Sequence, residues 1–221
     1  MAENFPRVNI RLSGSGGQGI ALAATVLAEA ALECALYATL IQEHGPEARG
    51  GATRADVSIA GAEIPNPQFS TPDLCLVLSD KAWDRFGKKL VGRAGVGLIV
   101  DRDTVDLSGL EESERQNIIA LGFEETAKVK VGAKVVTNMV CAAALVRLIE
   151  AVSLESLEAA AAKRSPAAFR EKNLAAVKLG WRLADDYLAS HSLNWRILDS
   201  HSALSGGTGG SLAKAAGRGA G

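Results

Sequence analysis

Short aliphatic stretches alternate with helical patterns along most of the chain. Residues 8–12 alternate apolar and polar side chains, a glycine-rich turn follows, and residues 20–32 then place Ala and Leu at helical spacing. Near-continuous aliphatic strands separated by helices are typical of a parallel sheet that is covered on both faces. The pattern therefore predicts an α/β fold of three layers, with a mostly parallel, doubly wound, Rossmann-like sheet. The further predicted strands are 36–42, 55–60, 74–78, 96–100 and 117–123.

The second half of the chain is predicted to be mainly helical. Residues 126–152 are expected to form one or two helices. Their most apolar stretch, 135–149, is interrupted by Asn138 and Arg147 and is shorter than the roughly 20 residues that span a bilayer. We therefore interpret this stretch as a buried helix.

The last two predicted helices form a helical hairpin. Residues 153–163 make the shorter helix, and in the longer one Ser165 is expected to cap the helix and Pro166 to occupy its first position. We expect this hairpin to lie against the sheet. Beyond it, residues 201–221 are rich in Gly and contain no acidic residue and no Phe, Trp or Tyr, which is typical of a flexible tail. The chain is thus predicted to be one domain, 1–200, followed by that tail.

Composition and charge exclude several classes of protein. Apolar residues make up 48% of the chain and charged residues 22%, which is close to the average of globular proteins. With 24 basic and 25 acidic residues the net charge is -1, so no general attraction to nucleic acid or to an anionic membrane exists. We predict no nucleic-acid partner and no membrane insertion. Because the first residues lack the apolar run of a secretory signal, we expect a cytoplasmic protein.

No metal site is predicted. Cys34, Cys75 and Cys141 lie far apart and none belongs to a C-x-x-C motif, so we interpret them as buried thiols. Asp101 and Asp103 follow the fifth predicted strand and could bind a metal ion, but a turn capped by their carboxylates is the favoured interpretation.

A glycine-rich turn follows the first predicted strand and opens the first helix. Gly14, Gly16 and Gly19 match the local dinucleotide-binding pattern, in which glycines let a phosphate approach the backbone and the helix N-terminus. The acid that such a site also needs has a candidate in Glu43. The Gln18 amide could hydrogen-bond a ligand or brace the turn. Close packing of strand and helix without any ligand is the remaining alternative.

A second glycine loop is more informative about the ligand. Arg49, Gly50 and Gly51 follow the second predicted strand, and loops that follow neighbouring parallel strands meet at one edge of the sheet. A guanidinium with backbone amides beside it would make an anion-binding cradle together with the first turn. The alternative is a solvated loop in which Arg49 pairs with a nearby acid: Glu43, Glu47 or Asp56.

Four motifs in order resemble one known family, the gamma subunit or domain of 2-oxoacid:ferredoxin oxidoreductases. The similarity extends over roughly residues 7–185, and position 44 departs from it, because the family more often has Tyr where this chain has His44. The motifs are GSGGQGI (14–20), HGPEARGG (44–51), TNMV (137–140) and FREKNLAAVKLG (169–180).

The resemblance implies a non-catalytic subunit of a larger enzyme. Complexes of this family oxidatively decarboxylate a 2-oxoacid on thiamine diphosphate, pass electrons through iron–sulfur clusters and release an acyl-CoA. This chain has neither the Gly-Asp-Gly start of a thiamine diphosphate motif nor cluster-forming cysteines. Thiamine diphosphate, magnesium and 4Fe-4S clusters are therefore expected on the alpha, beta and ferredoxin-like delta subunits of a hetero-oligomer, and no cofactor on this chain alone. The 2-oxoacid and the electron acceptor stay open.

The resemblance also implies that coenzyme A is the ligand of the two glycine loops. We expect Arg49 to bind CoA phosphates, because its planar fork offers two parallel donors to phosphate oxygens. No residue is expected to act as a general acid or base. A stand-alone NAD-dependent oxidoreductase and a pure scaffold subunit remain as alternatives. The predicted ligand-binding residues are Gly16, Gly17, Gln18, Gly19, Arg49, Gly50 and Gly51.

Overall fold

The computed structural model describes residues 4–43, 51–116 and 118–191. His44, Arg49 and Gly50 of the second loop and the predicted tail, 201–221, lie outside these ranges. The described strands are β1 (Val8–Ser15), β2 (Tyr37–Glu43), β3 (Ala52–Ala60), β4 (Leu74–Val77), β5 (Gly97–Asp101) and β6 (Ile118–Leu121). The α-helices are α1 (Ile20–Glu33), α2 (Asp80–Ala82), α3 (Glu112–Arg115), α4 (Phe123–Thr126), α5 (Thr137–Ile149), α6 (Leu154–Arg164) and α7 (Arg170–Ser190).

The six strands form one mixed sheet in the order β2-β3-β1-β4-β5-β6. Strands β1, β4, β5 and β6 are parallel neighbours, whereas β3 is antiparallel to both β1 and β2. Five strands therefore run in one direction, which confirms the prediction of a mostly parallel α/β sheet. The exception is β3, since β2 and β3 pair directly as consecutive antiparallel strands.

Strand β1 is longer than its alternating pattern predicted. Its ladder with β3 continues through Gly14, opposite Thr53, to Ser15, opposite Ala52. Gly14 is thus a strand residue, and the turn between strand and helix contains only residues 16–19. β3 correspondingly begins three residues before the predicted 55–60, because its first residues pair with the end of β1.

Apolar side chains pack on both faces of the sheet. On one face, alternate residues of β1 and β4, such as Leu12 and Leu76, pack with α1, α5, α6 and α7 in the larger core. On the other face, residues such as Val77 and Val100 pack against Trp83 and Phe86 of the helical segment that follows β4. Helices on both faces confirm the predicted three-layer arrangement.

The C-terminal hairpin packs mainly on helices. Helix α6 packs against α1, and α7 packs along α5. The α5 helix is almost entirely buried, as the apolar stretch 135–149 predicted. Gly180 of α7 makes the closest approach, since an added Cβ there would lie 2.1 Å from the Val140 carbonyl oxygen of α5.

The predicted cap of the last helix is wrong. The Ser165 hydroxyl donates to the Ala161 carbonyl at 2.6 Å and accepts from the Asn173 side chain at 2.7 Å, so it closes α6 and does not open α7. Pro166 has an extended ψ of 142°, a 3-10 turn (Ala167–Phe169) follows, and α7 begins only at Arg170. By contrast, Ser79 caps the helical segment that follows β4, because its hydroxyl accepts from the Ala82 amide.

Within the described ranges, the helices are too short or too polar to cross a bilayer.

Candidate functional site

A cleft opens at the carboxyl end of β1, where the glycine turn meets the ends of β2 and β3. Its volume is about 290 Å³. Carboxyl ends of parallel strands are where α/β sheets commonly bind ligands. The lining residues are Ser15, Gly16, Gly17, Gly19, Ile20, Ala21, Gln42, Glu43, Thr53 and Arg54.

Beside this cleft, the glycine turn meets Gly51, the described end of the second glycine loop. The Gly16 amide donates to the Gly51 carbonyl at 3.0 Å, which joins the turn to the residue just before β3. The sequence predicted this meeting from parallel neighbouring strands. The structure achieves it differently, because the antiparallel β3 starts beside the carboxyl end of β1.

The Gln18 side chain braces the turn. Its Oε1 accepts from the Ser15 amide at 2.6 Å, and its Nε2 donates to the Leu78 carbonyl at 2.7 Å after β4. Of the two roles that the sequence left open, bracing is the one that the structure shows. A direct contact between Gln18 and a ligand stays a prediction.

The first turn of α1 presents backbone amides to the cleft. Gly19 caps the helix with φ 73°, no side chain caps it, and its first turn contains no acidic residue. The first amides of an α-helix have no partner within the helix and lie at the positive end of its dipole. Asn138 of α5 fixes this turn, since its Nδ2 donates to the Gly19 carbonyl at 3.2 Å. The arrangement suits an anionic group.

Gly16 and Gly17 are exposed at the rim of the cleft. Gly17 has φ 93°, a region that L side chains rarely adopt, and no heavy atom lies within 4 Å of the position its Cβ would take. A ligand can therefore approach the backbone here without meeting a side chain.

Arg54 places a cation on the wall of the cleft. It pairs across the strands with Glu43, whose Oε1 lies 2.5 Å from its Nη2. Its guanidinium also lies 5.8 Å from the centre of the Phe86 ring. Sequence reasoning missed Arg54, because the predicted third strand began after it and was assumed to run parallel to the first. The sequence signal that could have found it is Thr53-Arg54-Ala55, directly after the second glycine loop.

A buried ion pair supports the strand that bears Arg54. Arg11 of β1 donates to both carboxylate oxygens of Asp56, at 2.8 and 2.7 Å, and the Arg11 side chain is 2% exposed. Burial alone would lower the pKa of Arg11, but the hydrogen bonds and charge of Asp56 outweigh it and raise that pKa. Asp56 Oδ2 also lies 4.0 Å from Arg54 Nε. This pair therefore fixes β3 against β1 directly below the cleft.

Asp101 and Asp103 at the end of β5 form a capped turn. Asp101 accepts from the amides of Asp103, Phe123 and Glu124, each at 3.2 Å, and Asp103 accepts from the Glu125 amide at 2.8 Å. Burial raises the pKa of Asp101 to about 6 against the opposing effect of these hydrogen bonds. The favoured interpretation of these acids, a capped turn, is confirmed.

Cys75 and Cys141 are buried, and Cys34 is partly exposed beside Ser156. Burial raises the pKa of the Cys75 thiol to about 12 and that of Cys141 well above its usual value, so both are protonated at neutral pH. Among the residues that the structure describes, no group of three or more His, Cys, Asp or Glu side chains is arranged to hold a metal ion.

Comparison with known proteins identifies the family. The model of the family described as pyruvate ferredoxin/flavodoxin oxidoreductase matches residues 9–183. The chain belongs to this family. A curated relative, the 2-oxoglutarate synthase subunit KorC of Methanothermobacter marburgensis, is 39% identical over 181 residues, which cover 80% of this chain and 96% of that protein.

Solved structures of family members agree with this membership. The gamma subunit of a keto/oxoacid ferredoxin oxidoreductase from Geobacter sulfurreducens is 36% identical, with a TM-score of 0.68 over 81% of this chain and 97% of that one. The present chain is thus a gamma-type subunit of a 2-oxoacid:ferredoxin oxidoreductase, which confirms the prediction from its motifs.

A longer protein contains the same fold. A 2-oxoglutarate:ferredoxin oxidoreductase from Magnetococcus marinus, solved with 2-oxoglutarate, coenzyme A and succinyl-CoA bound, gives a TM-score of 0.72 at 20% identity. The match covers 87% of this chain and 33% of that one. At this identity the likeness shows the fold alone.

Proposed function

We propose that this gamma-type chain contributes to binding coenzyme A in an assembled complex that converts a 2-oxoacid to an acyl-CoA. The observation that carries the proposal is the cleft lined by the glycine turn and the first turn of α1, with Gly51 hydrogen-bonded to Gly16 of that turn. The chain binds and orients CoA there, and it supplies no general acid or base.

The chemistry of the cleft suits the diphosphate of CoA. Phosphate oxygens readily accept hydrogen bonds from the free amides at the start of a helix and from an accessible glycine backbone. Arg49 and Gly50 directly precede Gly51 in the sequence, so we expect them to bind phosphate beside the same cleft. Gly16, Gly17 and Gly19 supply the backbone surface, and Gln18 holds the turn in shape.

The geometry gives less support to a stand-alone NAD-binding protein. A dinucleotide fold places the ribose-binding acid on the strand next to β1, whereas here β3 separates β2 from β1. Glu43 at the end of β2 is also engaged with Arg54. Titration of the purified chain with NADH, followed by nucleotide fluorescence, checks this, and saturable micromolar binding would favour the NAD alternative.

The reaction centre belongs to partner chains in this proposal. Thiamine diphosphate, magnesium and 4Fe-4S clusters lie on alpha, beta and ferredoxin-like delta subunits, and the hetero-oligomer works in the cytoplasm. Similarity to a 2-oxoglutarate synthase subunit supports 2-oxoglutarate as the oxoacid. Purification of the native complex tests this proposal through the identities of its chains, its bound thiamine diphosphate and its iron–sulfur absorbance. Comparison of kcat/KM for 2-oxoglutarate and for pyruvate tests the choice of oxoacid.

Replacement of Arg49 by Ala tests CoA binding. In the assembled complex, Arg49→Ala should raise the KM for CoA by about tenfold or more, because a charge-assisted hydrogen bond to phosphate contributes roughly 1.5–3 kcal/mol. The thiamine-dependent step should persist, as measured by 2-oxoacid-dependent reduction without CoA.

Arg164→Ala is the matched control, since Arg164 pairs with Glu29 where α6 meets α1 and does not line the cleft. It should leave the KM for CoA unchanged. If Arg49→Ala also leaves that KM unchanged, the assignment of Arg49 is wrong and a scaffold role gains support.

A further inference from the structure

We propose that Arg54 is an additional phosphate-binding residue of the CoA cleft, and that Glu43 is a counter-ion which the incoming phosphate displaces. This inference rests on the proposed CoA function and adds the residues that set the strength of binding.

Arg54 has the position that a phosphate contact requires. It lines the same cleft as Gly16, Gly17 and the first turn of α1. Strand pairing fixes its backbone, because Arg54 lies opposite Ser13 of β1 on one side and opposite Glu43 of β2 on the other. The cation therefore sits on a rigid strand at the edge where the helix amides are presented.

The guanidinium has capacity left for a ligand. Glu43 engages Nη2, while Nε lies 4.0 Å from Asp56, which is beyond hydrogen-bonding distance. Among the described residues, Nη1 of Arg54 has no hydrogen-bond acceptor. A phosphate can accept two parallel hydrogen bonds from such a fork.

The Glu43 carboxylate is a weak competitor for that fork. Its side chain is 54% exposed, whereas that of Arg54 is only 25% exposed. An exposed ion pair of this kind contributes little to stability, because water stabilises the free carboxylate nearly as well as the pairing with Arg54 does. The diphosphate of CoA carries more negative charge and also accepts from the helix amides, so it should displace Glu43.

This arrangement predicts effects of opposite sign for the two partners. Loss of the cation in Arg54→Gln removes an attraction to phosphate. Loss of the anion in Glu43→Gln removes both a competitor and a repulsive charge at the rim of the cleft. A pair that only joined β2 to β3 would instead make both replacements harmful, or both neutral, to binding.

Calorimetric titration of the assembled complex with CoA, without 2-oxoacid, tests the inference. Arg54→Gln should weaken binding about tenfold, or about 1.4 kcal/mol, and Glu43→Gln should tighten it several-fold. Arg54→Lys should retain part of the affinity, because it keeps the charge but loses the fork. Arg164→Gln, in a matched Arg–Glu pair outside the cleft, should change nothing.

The outcomes separate this inference from the function on which it rests. If Arg49→Ala weakens CoA binding while Arg54→Gln and Glu43→Gln do not change it, the cleft binds CoA and the role of Arg54 is wrong. A weaker affinity in both Arg54→Gln and Glu43→Gln also overturns the counter-ion role. If no variant changes the affinity, the CoA function itself fails.

Discussion

At the scale of single residues, Gly19 is the most constrained position of the site. Its φ of 73° lies in the left-handed region, and it caps α1 while Asn138 holds its carbonyl. A Cβ at this position would lie 2.4 Å from Asn138 Nδ2 and 3.0 Å from Asn138 Cγ. A side chain at position 19 would therefore meet both left-handed backbone strain and the Asn138 side chain of α5.

Gly19→Ala should lower the free energy of unfolding by about 1–3 kcal/mol, as the sum of left-handed strain and the displacement of Asn138. Urea unfolding followed by circular dichroism measures this loss in the free energy of unfolding. Gly109→Ala is the control, because no atom lies within 4 Å of its Cβ position. Equal stability of the two variants would show that the turn relaxes at no cost.

At the scale of secondary structure elements, two placements shape the site. The antiparallel β3 brings Gly51 and Arg54 to the carboxyl end of β1, and the Arg11–Asp56 pair holds the two strands together. On the side of the turn that faces α5, Asn138 in the first turn of α5 contacts Gly19, and α7 packs against α5. The glycine turn is thus held from both sides by contacts distant in sequence.

The contact between α7 and α5 predicts that Gly180→Ala destabilises the chain. Alanine in a helix is normally favoured over glycine by about 0.5–1 kcal/mol. Here the new Cβ would lie 2.1 Å from the Val140 carbonyl oxygen, and overpacking costs about 1–3 kcal/mol, so the steric effect should exceed the gain in helix propensity.

The measurement is the urea midpoint of the isolated chain, compared with Lys172→Ala at an exposed position of the same helix. That control should stay within about 0.5 kcal/mol of wild type. A higher midpoint for Gly180→Ala would mean that α7 can shift outward freely, contrary to the packing described above.

At the scale of the whole molecule, the described part of the chain is a mixed α/β sheet with helices on both faces and a helical hairpin on one side. Its two cores lie on opposite faces of one sheet. The division into a domain, 1–200, and a glycine-rich tail stays a prediction, since the tail lies outside the described residues.

Removal of residues 201–221 should leave the free energy of unfolding within about 0.5 kcal/mol of the full chain, because such a sequence buries little apolar surface. Thermal melting by circular dichroism checks this. A chain that ends at residue 185 is the contrasting variant, because it also loses Tyr187 and Leu188, which pack against the larger core. A tail deletion as harmful as that variant would contradict the domain boundary.

Local patterns in the sequence were sufficient to predict the six strands, the longer helices and the family. Short aliphatic stretches predicted the strands, including β6, and the apolar stretch of 135–149 predicted the buried α5, because buried segments display apolar side chains in the sequence. The family was predicted by the resemblance of four short motifs in order, at 14–20, 44–51, 137–140 and 169–180, and the family model that matches residues 9–183 confirms it.

Only the tertiary structure decided the direction of β3, the true start of α7 and the position of Arg54. Strand direction depends on pairing between distant residues, and no periodicity within a single strand encodes it. Likewise, Ser165 ends a helix because Asn173 and Ala161 engage its hydroxyl, not because of its immediate neighbours. The sequence predicted a glycine turn that suits an anion, whereas only the fold placed Arg54 beside that turn, because Arg54 arrives on an antiparallel strand.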